Sequence, residues 1–88
     1  MKKIKKTAAL KYEKGYNAPI VTATGIGYIS DKIVEKAKEN DVPIVYNKEL
    51  ADLLVNVEVG DNIPTDLYEA VASVIAYIMN LDKNVNRG

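Results

Sequence analysis

The chain contains no cysteine and no histidine. Without cysteine there is no disulfide and no thiolate chemistry, and no redox compartment can be read from the sequence. Without histidine the commonest metal ligand and the commonest general base near neutral pH are both missing. No Ser-His-Asp set or Cys-His pair is possible, and no carboxylate metal box is visible, so no cofactor or metal is implied. Long apolar runs are lacking too. The longest, residues 70–79 (AVASVIAYIM), includes Ser73 and falls far short of the ~20 residues that span a bilayer. The basic start MKKIKK is not followed by the apolar stretch of a signal peptide, so the expected location is the cytoplasm. An excess of charge is also absent: 12 basic side chains balance 12 acidic ones. A neutral balance leaves no electrostatic footprint for nucleic acid.

The chain's 88 residues allow one small domain. Its content, 48% hydrophobic and 27% charged, is that of an ordinary soluble globular chain. The one local asymmetry is Lys2, Lys3, Lys5 and Lys6 at the N-terminus. Such a cluster is usually a solvated tail; it can also touch an acidic partner or lipid head groups.

Apolar and β-branched runs predict strands at Thr7 to Tyr12 (TAALKY) and Pro19 to Thr24 (PIVTAT), joined by the turn chemistry of EKGYNA. Proline is tolerated at the first residue of the second strand, where a missing N–H does least harm. A helix is predicted from Tyr28 to Asn40, with Ile26, Ile29, Ile33, Val34 and Ala37 on one stripe. Its other face carries Asp31, Glu35 and Glu39 interleaved with lysines, which reads as a solvated face before a catalytic carboxylate pair. Asn40-Asp41 followed by Pro43 signals its end. PIVY (residues 43–46) predicts a short buried strand, and Asn47 can cap a brief helix bearing Leu50, Leu53 and Leu54. VNVEVGDN predicts a fourth, edge strand or an extended connector. A last helix starts around Pro64 and runs to about Asn80. The predicted class is α/β: a small mixed, about four-stranded sheet surrounded by helices, in the order β-β-α-β-α-(β)-α.

The last helix carries two apolar stripes. Leu67, Val71, Val74 and Ile78 form one; Tyr68, Ala72, Ile75 and Met79 form another, roughly 100° around. Together they are wider than one sheet-facing surface needs. Either the helix is wedged between the sheet and another helix, or part of the second stripe stays exposed to dock a partner.

Gly25-Ile26-Gly27, between a strand and a helix, resembles a phosphate cradle. The dinucleotide fingerprint needs a third glycine, but Tyr28, Ile29 and Ser30 follow, and the acid expected about 20 residues on is absent. A small phosphate- or nucleotide-binding protein using this corner is one reading; a tight turn between packed elements is the other. The six tyrosines are scattered without the basic interleaving of a base-stacking platform.

As a string the chain is more definite. AALKY, AP-IV-A-G, VPIVYN, LA--L, VEVGDNIP and LYEAVASVIAYI occur in this order. With this spacing they resemble the cytoplasmic C-terminal domain of the FlhB/YscU/EscU family, the substrate-specificity switch proteins of flagellar and type III secretion export. The resemblance covers about Thr7 to Leu81, so residues 7–81 are expected to be the export-switch domain, residues 1–6 a basic tail and residues 82–88 a polar tail. It implies a sheet wrapped by helices and a non-enzymatic module at the cytoplasmic mouth of the inner-membrane export gate. The partners it implies are export apparatus proteins, export substrates and a hook- or needle-length ruler protein. It implies substrate contact through a small apolar patch mapping to Ala18, Pro19, Ala72 and Ile75.

The chain also departs from the family pattern. The family's four transmembrane helices have no counterpart. Its self-cleaving Asn-Pro-Thr-His loop aligns with Lys2, Lys3, Ile4 and Lys5, so autocleavage is not expected. The reading is a stand-alone counterpart of the cleaved C-terminal fragment. Thr24 replaces the usual Lys, Lys48-Glu49 replace Pro-Pro, and Asp52 replaces Arg, which places charge-dependent contacts there in question.

Overall fold

The computed structural model describes the backbone of residues 5–87 and the side chains of residues 5–80. Strand β1 (Lys6–Lys11) pairs antiparallel with β2 (Ile20–Ile26). Helix α1 (Tyr28–Glu39), helix α2 (Lys48–Leu54), a 3₁₀ turn (Thr65–Leu67) and helix α3 (Tyr68–Arg87) follow. In the hairpin connection Gly15 takes a positive φ of 95°, a conformation that favours glycine.

The ladder pairs Thr7 with Gly25 and Ala9 with Ala23, then shifts so that Leu10 faces Val21. Thr22 is the extra residue of this β-bulge, and its hydroxyl donates to the Ala9 carbonyl at 3.3 Å. The shift turns Val21 toward the side of the sheet where Leu10 lies. There Val21, Ala18, Leu50, Leu54, Ile63 and Val71 form the buried core, with Ala8 and Leu10 packed against it. Helices α2 and α3 therefore cover that face. On the other face Gly25 admits α1, and the Thr7 and Ser30 hydroxyls are hydrogen-bonded to each other. Ser30 is buried, whereas Ile26 and Ile29 of the expected apolar stripe are about half exposed. The stripe is thus narrower at its start than periodicity suggests: Ile33, Val34 and Ala37 carry it, and a hydrogen-bonded serine takes the inward position in the first turn.

Helix α1 stops where expected. Asn40 donates from both its backbone and its side chain to the Lys36 carbonyl, and Asp41 adopts φ 58°. The Val42 N–H then reaches back to the Ala37 carbonyl at 2.8 Å, closing the helix end. Asn47 caps α2 as predicted, its side-chain oxygen accepting from the Leu50 N–H at 3.0 Å.

The expected four-stranded mixed sheet needs correction. Among the described residues the sheet has two strands, both antiparallel. Residues 43–46 form neither helix nor strand and pair with no strand among the described residues. Pro43 has no N–H to give a ladder, and Tyr46 is 83% exposed. VNVEVGDN forms a connector instead of a full strand, because the Val57 N–H is taken by the Leu54 carbonyl and Gly60 turns at φ 98°. Its end still adds to the sheet. The Val21 N–H donates to Asp61, the Gly60 N–H to Val21, and the Ile63 N–H to Pro19, at 2.7–3.0 Å. An isolated bridge joins Ile20 to Asn62, so β2 has a rudimentary neighbour on its outer side.

Pro64 precedes the 3₁₀ turn, and α3 continues past Asn80 to Arg87. The expected polar C-terminal tail is helical in its backbone through that residue; its side chains and Gly88 lie outside the described residues, as do residues 1–4 of the basic tail.

Candidate functional site

The turn chemistry between β1 and β2 folds the chain back so that its two ends meet α3. The Tyr16 N–H donates to Glu13, and Tyr12 and Tyr16 stand edge to face with ring centres 6.4 Å apart. Ala18 and Pro19 follow, both buried. Pro19 is held by its carbonyl, which accepts from Ile63.

Helix α3 supplies the opposite wall. Its first apolar stripe faces the core: Val71 is buried, and Leu67, Val74 and Ile78 are half-buried. On the second stripe Tyr68, Ala72 and Met79 are exposed and Ile75 is half-buried. Between this stripe and the hairpin connection lies a cleft of about 310 Å³. All four sequence-predicted residues, Ala18, Pro19, Ala72 and Ile75, line it together. Ala18 and Pro19 make the floor, Ile75 a wall shared with the core, and Ala72 the accessible rim.

Tyr12, Asn17, Tyr68, Ala76 and Met79 complete the lining. Tyr68 and Met79 were legible as members of the second stripe. Asn17 and Gly15 read as turn residues and mark the loop that returns, but nothing in the sequence places Tyr12 or Asn17 beside the last helix. Among the described residues no carboxylate or ammonium lines the cleft; its polar groups are the Tyr12 and Tyr68 hydroxyls and the Asn17 amide. Such a lining favours an apolar side chain and penalises a charge left without a partner.

Charges lie at the margins. Lys11 pairs with Glu13 at 3.5 Å, and the Glu13 carboxylate, helped by Tyr16, raises the Lys11 pKa above its ordinary value. Farther away, Asp52 accepts from Lys48 and lies 3.3 Å from Lys6. The hydrogen bond from Lys48, and then that from Lys6, lowers the Asp52 pKa against the opposing effect of partial desolvation.

The glycine corner is committed to packing. A Cβ on Gly25 would lie 2.8 Å from Ile29 Cγ2 and Ile33 Cδ1 and 2.9 Å from the Ile29 carbonyl carbon. Gly27 has φ 64°, donates its N–H to the Lys5 carbonyl at 2.7 Å and accepts from Asp31 at 3.2 Å. Asp31, in the first turn of α1, pairs with Lys5 at 3.2 Å. The corner is thus a close strand-to-helix approach with its Gly27 donor already used and a carboxylate beside it.

The described residues include no cluster of metal-ligating side chains and no helix long and apolar enough to cross a membrane. Architecture and site together define a small α/β domain with an apolar cleft between a hairpin connection and its last helix. The chain belongs to the FlhB, HrpN, YscU and SpaS family, whose sequence profile matches residues 6–78. It is 42% identical over 83 residues to YlqH of Bacillus subtilis strain 168, spanning 93% of this chain and 89% of that protein. It is 47% identical over 79 residues to the flagellar biosynthetic protein FlhB of Aquifex aeolicus, spanning 88% of this chain and 23% of that longer protein. Among solved structures, the PscU C-terminal domain superposes with a TM-score of 0.79 at 25% identity, over 83% of this chain and 95% of that one. The C-terminal domain of EscU gives 0.79 at 28% identity, over 85% and 93%.

Proposed function

We propose that the protein is a non-enzymatic binding module of the flagellar or type III export apparatus. It acts at the cytoplasmic face of the inner-membrane export gate, in substrate recognition or in switching between substrate classes. The observation that carries this reading is the convergence of Ala18, Pro19, Ala72 and Ile75 on one apolar cleft in a chain of this family. The apolar side chain of an export substrate would enter over Ala72 and rest on Ala18 and Pro19. The module would substitute for, or compete with, the corresponding C-terminal segment of an FlhB protein. Flagellar relatives and the PscU and EscU domains both support the export role, and the choice between machines follows from the partner captured.

The test is a pull-down of export-gate cytoplasmic domains and early export substrates with the purified chain. Binding in the range of tens of micromolar, about −6 kcal/mol, is expected. Ala72→Asp places a carboxylate on the exposed rim and should abolish substrate capture while leaving the thermal midpoint nearly unchanged. Equal capture by wild type and Ala72→Asp, or no capture by either, rejects the cleft as the substrate site.

A further inference from the structure

Helix α3 meets the core along a narrow seam, and an opening flanks that seam on each side. The cleft over Ala18 and Pro19 is one. The other is a groove of about 640 Å³ between α3 and residues 44–47. Around the helix axis Ala70 and Tyr77 lie on the far side from Ala72 and Met79, so the two openings are separate. Half-buried Ile44, Val45 and Val74 give the groove an apolar bottom. Ala70 and Ser73 are small and exposed, which leaves room for a close approach. Tyr46 and Tyr77 also line it and are 83% and 56% exposed. Charge around the groove has one sign. From Glu49 to Asn80 the sequence carries six acidic side chains and no basic one, although the whole chain is neutral. Asp52 is paired with Lys48 and Lys6, whereas Glu49, Asp66 and Glu69 have no ion-pair partner among the described residues. Glu69 directly precedes Ala70, Asp66 lies about one turn before it, and Glu49 lies in the first turn of the helix that Asn47 caps. All three are exposed.

We propose that this groove docks an α-helix of a partner protein, with an apolar stripe flanked by lysines or arginines. Ala70, Ser73 and Tyr77 recur at i, i+3 and i+7, the spacing along which a second helix lies on the first. The partner's apolar side chains cover Ile44, Val45 and Val74, and its cations meet Glu49, Asp66 and Glu69. A second copy of the chain is a poor match. The described part of its α3 carries Glu69 and no base, so acids would face acids. Its α1 carries lysines but lays Ile33, Val34 and Ala37 toward its own sheet. The charges at the margin select the partner and speed the encounter, whereas the tyrosines and the apolar bottom supply most of the affinity. Failure of this groove would leave the Ala72 cleft and the proposed export role standing.

The test titrates the full ¹⁵N-labelled chain with a capped synthetic helix, Lys-Lys-Leu-Ala-Lys-Leu-Leu-Ala-Lys-Leu-Lys-Lys, whose leucines form one stripe. One control peptide has glutamate for every lysine. Another has the same residues reordered so that the leucines spread around the helix. The striped lysine peptide should give saturable shifts of the amides of residues 44–47 and of Ala70, Ser73 and Tyr77, with Asn17 and Ala18 unmoved. Tyr77→Ala should weaken binding about tenfold. Glu69→Lys should weaken the lysine peptide about threefold and improve the glutamate version. Both positions are exposed, so both variants should keep the thermal midpoint nearly unchanged. The proposal fails if millimolar striped peptide moves none of the groove amides, or if Asn17 and Ala18 move in their place. Equal binding of either control peptide also overturns it. Groove shifts that follow the concentration of the free chain would assign the groove to a second copy, and groove shifts caused by Ile4→Asp would assign it to the chain's own first residues; either result rejects a partner helix.

Discussion

At the scale of single residues, Asp52 is held between two cations: Lys48, one turn earlier on α2, and Lys6 of β1 on the other side of the carboxylate. Because these bonds lower the Asp52 pKa below the ordinary 3.8, the folded chain resists protonation that the unfolded chain accepts. Its contribution is therefore present above the unfolded value and is lost as pH falls through the lower folded value. Urea midpoints measured at pH 5 and pH 3 should show a smaller acid loss for Asp52→Asn than for wild type. The gap between the two proteins should narrow at pH 3. Identical acid slopes would mean that the pair does not act in solution. The composition showed the charges, but the pairing of Lys6 with Asp52 depends on a tertiary contact that no spacing rule displays.

At the scale of elements, helix termini and stripes were legible and strands less so. Asn47 as a cap, the stop after Asn40 and the two faces of α3 follow from local chemistry, because helical hydrogen bonds close within the segment. A strand also needs a neighbour. PIVY and VNVEVG have strand composition, yet neither becomes a full strand: residues 43–46 pair with no strand among the described residues, and the valine-rich connector spends its N–H groups on turns. The cleft was half legible, since α3 shows its spare stripe in the sequence, whereas the return of Tyr12 and Asn17 requires the hairpin to close. The strand-to-helix corner permits a direct prediction. Gly25→Ala would force Ile29 and Ile33 aside and meet the Ile29 backbone, which cannot move without α1 moving. Overpacking of this kind costs about 1–3 kcal/mol, and the urea midpoint should drop accordingly. Gly27 has open space around it, so Gly27→Ala is opposed by its backbone alone, φ 64° with ψ −123°, a conformation strained for a residue with a Cβ, at about 1–3 kcal/mol. A Gly25→Ala protein as stable as wild type would show that α1 is not held against the strand as described.

At the scale of the whole molecule, the start of β2 is where the core, the cleft and the connector meet. Val21 is fully buried and bonded on its outer side by residues 60–61, while Pro19 forms the cleft floor and accepts from Ile63. Ile63 is itself 2% exposed and immediately precedes the turn into α3. The floor and the wall of the cleft are thus fastened through one buried residue, its backbone N–H to Pro19 and its side chain in the core, and binding geometry cannot be separated from global stability. A chain of this size has only about 5–13 kcal/mol of stability in total. Ile63→Ala, which removes buried volume, should cost about 2–5 kcal/mol, a large share of it. Leu53→Ala, on the half-exposed side of α2, should stay within about 0.5 kcal/mol. In a chain whose exposed Tyr28, Tyr46 and Tyr77 are replaced by Phe, urea unfolding followed by tyrosine fluorescence reports on Tyr12, Tyr16 and Tyr68 around the cleft, and far-ultraviolet circular dichroism reports on the helices. Because all of them rest on one core, both signals should move together in a single transition, and both should shift by the same amount in Ile63→Ala. A tyrosine transition at lower urea than the helical one would mean that the cleft opens independently of the core, and the fastening through Ile63 would have to be abandoned.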